Sequence, residues 1–161
     1  MKTQKITIVE VAKGAGVSTA TASRVLGQYG YVGEKTKERV LAVAAKLGYQ
    51  PNKIARGLIT GQTRTIGVIA GDISSPFYAA VLRGISDVVE GHGLGMLITN
   101  SDETLDREVA ATKLLRENQV DGLIVSPCDV TDSPHLRAAV KAGMPMALID
   151  RKVKGLRVDT V

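Results

Sequence analysis

Thr19, Ala20, Thr21, Ser23 and Arg24 form a short run in which every side chain is small, polar or cationic. A helix that only packs against a core would not leave such a face. One that meets a polar partner needs it, because these groups donate and accept hydrogen bonds without steric bulk. The surrounding charge has the same sense. Of the 21 Lys and Arg, 11 fall within residues 1–64 against only Glu10, Glu34 and Glu38, so this part carries +8 and the remainder −3 of the total +5. A basic segment of this kind attracts nucleic acid or an anionic membrane surface.

Other chemistries fare worse. Cys128 is the single cysteine, and His92 and His135 lie far from it in sequence, so neither an intrachain disulfide nor a metal-ligand spacing is present. Gly91-His92-Gly93-Leu94-Gly95 resembles a dinucleotide glycine pattern. It follows a helix and precedes a strand, the wrong order for a phosphate loop, and is read as a helix end and turn. Gly33-Glu34-Lys35-Thr36 lacks the upstream glycine and strand of a P-loop. No catalytic constellation emerges, and no enzyme, cofactor or metal is expected. The Met1 region is polar, and no segment approaches the ~20 apolar residues of a membrane span, so a cytoplasmic, DNA-associated protein is expected.

The elements that must position these residues follow from caps and periodicity. Thr7 stands three before Glu10, a capping-box spacing, with Ile6 and Val11 placed as a hydrophobic staple. This first helix runs to about Lys13, and Gly14 and Gly16 supply a turn. Ser18 caps a second helix that carries the polar run and turns Val25 and Leu26 toward the core. A third helix starts near Gly33, buries Val40, Leu41, Ala44 and Leu47, and stops at Gly48. Two helices joined by a glycine-containing tight turn form a helix-turn-helix, whose second helix fits the ~12 Å major groove of duplex DNA. Pro51 to Gly61 reads as a linker with about seven helical residues, too short to be stable alone.

From Thr65 the pattern becomes α/β, with strands expected at Ile66–Ala70, Met96–Thr99, Gly122–Ser126 and Met146–Ile149 and a fifth alternation at Leu156–Val161. Helices are expected near residues 77–91, 104–118 and 134–142. The domains are therefore 1–50 (helix-turn-helix), 51–64 (hinge or linker) and 65–161 (a partial parallel-sheet domain).

The ordered motifs Thr7-Ile8-x-Glu10-Val11-Ala12, Ala15-Gly16-Val17-Ser18, Thr21-x-Ser23-Arg24-Val25-Leu26, Leu47-Gly48-Tyr49-x-Pro51-Asn52 and Ala55-Arg56 resemble the lactose repressor and galactose repressor family. The likeness continues through Thr65-Ile66-Gly67-Val68, Asp72-Ile73-Ser74-Ser75-Pro76-Phe77-Tyr78, Asp121-Gly122-Leu123-Ile124 and Asp150-Arg151. The resemblance implies that Thr19, Ala20 and Arg24 face base edges, Arg24 with two hydrogen bonds to guanine and Ala20 against a thymine methyl. Thr7, Ser18 and Ser23 are implied at phosphates, beside the polar Thr21. It implies a hinge helix from Asn52 to Ile59 that orders on operator DNA, with Leu58 as a minor-groove wedge, Ala55 permitting close approach, and Lys53 and Arg56 at phosphate. Gly57 is a weaker helix former than that hinge would favour.

The same resemblance implies a periplasmic-binding-protein-like first lobe. Asp72, Ser75, Phe77, Tyr78, Asn100, Asp150 and Arg151 would contact a sugar or small-metabolite effector beyond the strand C-termini. Family members of this kind continue for roughly as much chain again, so one wall of an effector cleft is not expected in residues 65–161, nor is effector binding by the chain as given. The reading is a homodimeric repressor of operator DNA. The alternative is a small-molecule (sugar) binding module without regulatory activity, against which the basic, helix-turn-helix start of the chain argues.

Overall fold

A computed structural model describes residues 6–50, Gly57 and 61–161. The chain divides into two compact units, Met1–Gly61 and Gln62–Val161.

In the first unit three helices, α1 (Ile8–Ala15), α2 (Thr19–Gly27) and α3 (Glu34–Leu47), enclose a core of Val11, Ala12, Ala15, Ala22, Val25, Val40 and Ala44. Ile6 and Leu26 pack at its margin. Helix α1 runs past Lys13 to Ala15, so Gly14 lies inside the helix and not in the turn. The reason is contact: a Cβ on Gly14 would lie 2.8 Å from Val43 Cγ1, so the absent side chain lets α3 approach α1. The turn rests on Gly16 alone, at φ 62, where the Val17 amide reaches back to the Ala12 carbonyl at 3.0 Å. Helix α3 starts after Gly33 and ends at Gly48 as expected, but Leu41 is 45% and Leu47 36% exposed. Its inward stripe is Val40, Val43 and Ala44, a spacing that leaves Leu41 one step around the helix.

The second unit is a parallel α/β fold. Its elements are β1 (Thr65–Ala70), α4 (Pro76–Gly91), β2 (Gly95–Asn100), α5 (Leu105–Glu117), β3 (Gly122–Val125), α6 (Pro134–Lys141), β4 (Met146–Leu148) and β5 (Asp159–Thr160). The sheet order is β2-β1-β3-β4-β5, with every pair parallel. The register sets Val68 beside Ile98 on one side and Ile124 on the other. Ile69, Leu115, Leu123, Val125, Leu136 and Leu148 form the heart of the core. Each such side chain, fully withdrawn from water, contributes about 1.5–3 kcal/mol. The fifth strand is shorter than the expected Leu156–Val161; Leu156 and Val158 pack against the core instead of pairing. Among the described residues no helix is long and apolar enough to cross a membrane.

Candidate nucleic-acid interface and ligand edge

The face of α2 is assembled by its cap. Ser18 Oγ accepts the Thr21 backbone N–H at 3.1 Å and lies 2.9 Å from Thr21 Oγ1. This satisfies a helix-start donor and fixes where the helix begins. Ala22 and Val25 point inward, leaving Ser18, Thr19, Ala20 and Arg24 exposed along one side with Thr21 half-buried beside them. At the start of α1, Glu10 Oε2 accepts the Thr7 backbone N–H at 2.7 Å, the capping box its spacing predicts, and Thr7 is exposed.

Two residues not singled out from the sequence complete this surface. Ser23 Oγ lies 2.7 Å from the Tyr29 hydroxyl, so the hydroxyl expected at a phosphate also ties α2 to the loop that follows it. Tyr31 is 93% exposed and shares a cavity of about 550 Å³ with Arg24, Gln28, Lys37 and Leu41. Neither tyrosine follows a periodic pattern that would have marked it. Asn52, Lys53, Ala55, Arg56 and Leu58, the expected hinge contacts, lie outside the described residues.

In the second unit the loops beyond the strand C-termini gather the other candidates. Order 2-1-3-4-5 reverses between β1 and β3, and in open parallel sheets ligands bind in the crevice at that reversal. Here Tyr78, in the first turn of α4 after β1, places its hydroxyl 2.7 Å from Ser126 Oγ, just past β3. Gly71 makes room for it, since a Cβ there would sit 2.5 Å from the Tyr78 hydroxyl oxygen. The Phe77 ring meets that of Tyr78 edge-on at 5.1 Å and is itself half exposed. Asp72, Ser75 and Tyr78 line a pocket of about 590 Å³ together with Ser74, Asp102 and Glu103. Ser75 takes the N-cap position ahead of Pro76 but its hydroxyl makes no capping bond.

Acid outweighs base along this edge, with Asp72, Asp102, Glu103 and Asp150 against Arg107 and Arg151. The Ser74 hydroxyl and amide both donate to Asp72, at 2.7 and 2.9 Å, and hold its carboxyl below the usual carboxylate value. Asn100 accepts the Ile73 amide at 3.1 Å and donates to Asp102, which in turn pairs with Arg107. Arg151 bridges Glu103 at 3.1 Å and Asp150 at 3.2 Å. Asp102, Glu103 and Asp150 all adopt left-handed backbone conformations, at φ 46, 53 and 71. Such strain in non-glycine residues collects where loops are shaped for a partner. All seven expected effector residues thus fall on one connected edge, and Ser74, Asp102, Glu103 and Ser126 join them.

Beneath this edge lies a charged group that the sequence does not advertise. Glu108 is fully buried, with Oε2 accepting the Cys128 amide and Oε1 accepting His135 Nε2, both at 2.6 Å. Burial alone would push its pKa up, but His135 and the Cys128 amide outweigh it and leave the carboxyl below its ordinary value. Burial, chiefly, pushes the Cys128 thiol up to about 11.

A helix-turn-helix unit is followed along the chain by a parallel-sheet α/β unit with its candidate residues beyond the strand C-termini. Comparison with known proteins gives the family. Residues 7–52 match "Bacterial regulatory proteins, lacI family" and residues 63–161 match "Periplasmic binding proteins and sugar binding domain of LacI family"; the chain belongs to the LacI family. It is 39% identical over 149 residues to the "Ribose operon repressor" of Bacillus subtilis (strain 168), covering 92% of this chain and 44% of that protein. It is likewise 39% identical over 143 residues to "Catabolite control protein A" of Priestia megaterium, covering 89% and 43%. Among solved structures, a LacI-family transcriptional regulator from Silicibacter pomeroyi superposes with a TM-score of 0.78 at 33% identity, covering 97% of this chain and 46% of that one. The lac repressor dimer bound to operator and the anti-inducer ONPF superposes with a TM-score of 0.79 at 26% identity, covering 98% and 48%. The chain therefore spans under half the length of the relatives it matches.

Proposed function

We propose that this chain acts as a sequence-specific DNA-binding regulator, a repressor of a carbohydrate or small-metabolite operon, that reads each operator half-site with α2. The observation that carries the reading is the exposed Ser18-Thr19-Ala20-Arg24 face on a helix whose cap is satisfied, within a unit of strongly positive charge. Arg24 provides direct readout, Thr19 and Ala20 line the same base edges, and Thr7, Ser18, Thr21 and Ser23 meet phosphate and sugar. A single such helix covers one half-site, so the working form is a homodimer on a near-palindrome. Asn52, Lys53, Ala55, Arg56 and Leu58 act as the minor-groove hinge between domains 1–50 and 65–161. The edge bearing Asp72, Ser75, Phe77, Tyr78, Asn100, Asp150 and Arg151 contributes one wall of the effector site. Its hydroxyls, carboxylates and exposed Phe77 ring suit a polyhydroxylated ligand.

Selection from random-sequence duplexes, read by mobility shift, tests this. A palindromic site is expected to enrich, and no enrichment at low salt refutes the reading. On the selected site, Arg24→Ala should lose about 1–3 kcal/mol of discrimination at one position of each half-site. Lys53→Ala should weaken all duplexes alike and reduce the salt slope by about one. Equal behaviour of the two variants contradicts the assigned roles.

A further inference from the structure

The root of the ligand lobe, where the chain enters from the linker, is held by an unusual set of contacts. Asp121, in the turn before β3, accepts the Thr63 amide on Oδ1 at 2.8 Å and the Arg64 amide on Oδ2 at 2.7 Å. The Thr63 hydroxyl lies 2.8 Å from the Gln119 carbonyl oxygen and 3.2 Å from Asp121 Oδ1. In return the Asp121 amide donates to the Thr65 carbonyl at 2.8 Å. Arg64 adds a third side. Its Nη2 donates to the His92 carbonyl at 2.8 Å and its Nε to that of Gly93 at 3.3 Å, at the C-terminal end of α4. Arg64 holds φ 54, a conformation that a side-chain-bearing residue keeps only where its surroundings over-determine it. A half-buried carboxylate that spends both oxygens on two successive backbone amides fixes a chain direction; an ordinary surface aspartate does not.

We propose that Asp121 is a positioning residue for DNA recognition: it rivets the linker's exit at Thr63-Arg64 to the sheet, and so limits the slack with which two copies of the chain can reach two half-sites. This rests on the regulatory, dimeric reading above. The scale is sufficient. Freeing Thr63 and Arg64 adds up to about 7 Å of reach per copy. That is roughly twice the 3.4 Å rise of one base-pair step. Where the hinge of Asn52 to Ile59 is ordered on the duplex, as the regulatory reading has it, this is slack the linker otherwise lacks, so a riveted root makes affinity depend on half-site spacing and a loose root absorbs a changed spacing.

The test measures affinity of the whole chain for duplexes carrying the selected half-sites at the optimal spacing and at one and two base pairs more or fewer. Amide hydrogen exchange at Thr63 and Arg64 is followed in parallel. The unaltered chain is expected to lose about tenfold for a one-base-pair change, whereas Asp121→Ala loses less than about threefold, with its Thr63 and Arg64 amides exchanging at least about tenfold faster. Asp121→Asn, which keeps the volume and one acceptor, should fall between, and serves if the alanine variant folds poorly. A general loss of fold lowers affinity at every spacing equally, whereas loss of the rivet flattens the profile. Faster exchange with an unchanged profile overturns the proposal, as does unchanged exchange. If the unaltered chain binds none of the duplexes, the regulatory reading falls and this proposal with it, whatever the exchange shows.

Discussion

Replacing Glu108 by glutamine keeps the shape of a fully buried side chain and removes its charge. In the native lobe both carboxylate oxygens are used, one by the Cys128 amide and one by His135 Nε2. A glutamine amide has one oxygen, so its NH2 group must face one of the two donors. The imidazole could evade this by moving its proton to Nδ1, but that atom is buried and without a partner, so the unmet donor is relocated and not removed. One buried donor left unsatisfied costs about 1–3 kcal/mol. For a domain of this size each kcal/mol lowers Tm by about 4–8 °C, so a cost near 2 kcal/mol shifts the transition of the ligand lobe by about 8–16 °C at pH 7. The pH dependence gives a second check. The folded carboxyl lies below its ordinary value of 4.5, so its contribution is complete above that value and is lost as pH falls through the folded pKa. The gap between native chain and Glu108→Gln, followed by calorimetry, should therefore be present at pH 7 and narrow as pH falls below about 4.5. Equal melting at pH 7, or a gap that does not narrow in acid, refutes the reasoning.

Two further outcomes can be checked more simply. Gly14→Ala gains about 1 kcal/mol of helix propensity but drives a Cβ to 2.8 Å from Val43 Cγ1, and overpacking of that kind costs about 1–3 kcal/mol. A net loss in chemical denaturation of the N-terminal unit is expected, relieved when Val43→Ala is added; a stabilised single variant contradicts the packing argument. Cys128, with its thiol pushed up to about 11, should react slowly with a thiol-specific disulfide reagent at pH 8 in native conditions and rapidly in denaturant. Fast native labelling would contradict the raised thiol pKa.

What could be read in advance divides by the range of the interaction. Ser18, Gly16 and Gly48 act within a few residues of themselves, and the helix limits they set are legible from the sequence. The four longer strands were legible because Ile66, Val68, Ile69, Leu123, Val125 and Leu148 sit in short apolar runs bounded by turn residues. Gly14 was misplaced because its role depends on Val43, an interhelix contact that no local pattern encodes. Leu41 has the composition of a core residue and loses that place to Val40, Val43 and Ala44, which form the inward stripe of α3. Glu108 is the sharpest case. Between Arg107 and Val109 on an amphipathic helix it reads as solvated, and only partners 20 and 27 positions away turn it into a buried anion. The Asp72–Tyr78 segment is marked in the sequence by its family motif. Ser126, which receives Tyr78 from the neighbouring strand end, carried no signal beyond terminating an apolar run.

Strand β1 joins the two addresses of the ligand lobe: Arg64 at its amino end is held by Asp121, and Ala70 at its carboxyl end leads into Asp72 and the Tyr78–Ser126 bond. Six residues of strand span about 20 Å. Paired on both sides by β2 and β3, that length is a central strand of the sheet from end to end. Both sites are thus built on the ends of the same six residues, so a substitution that disturbs this strand disturbs the linker's attachment and the Tyr78 edge together.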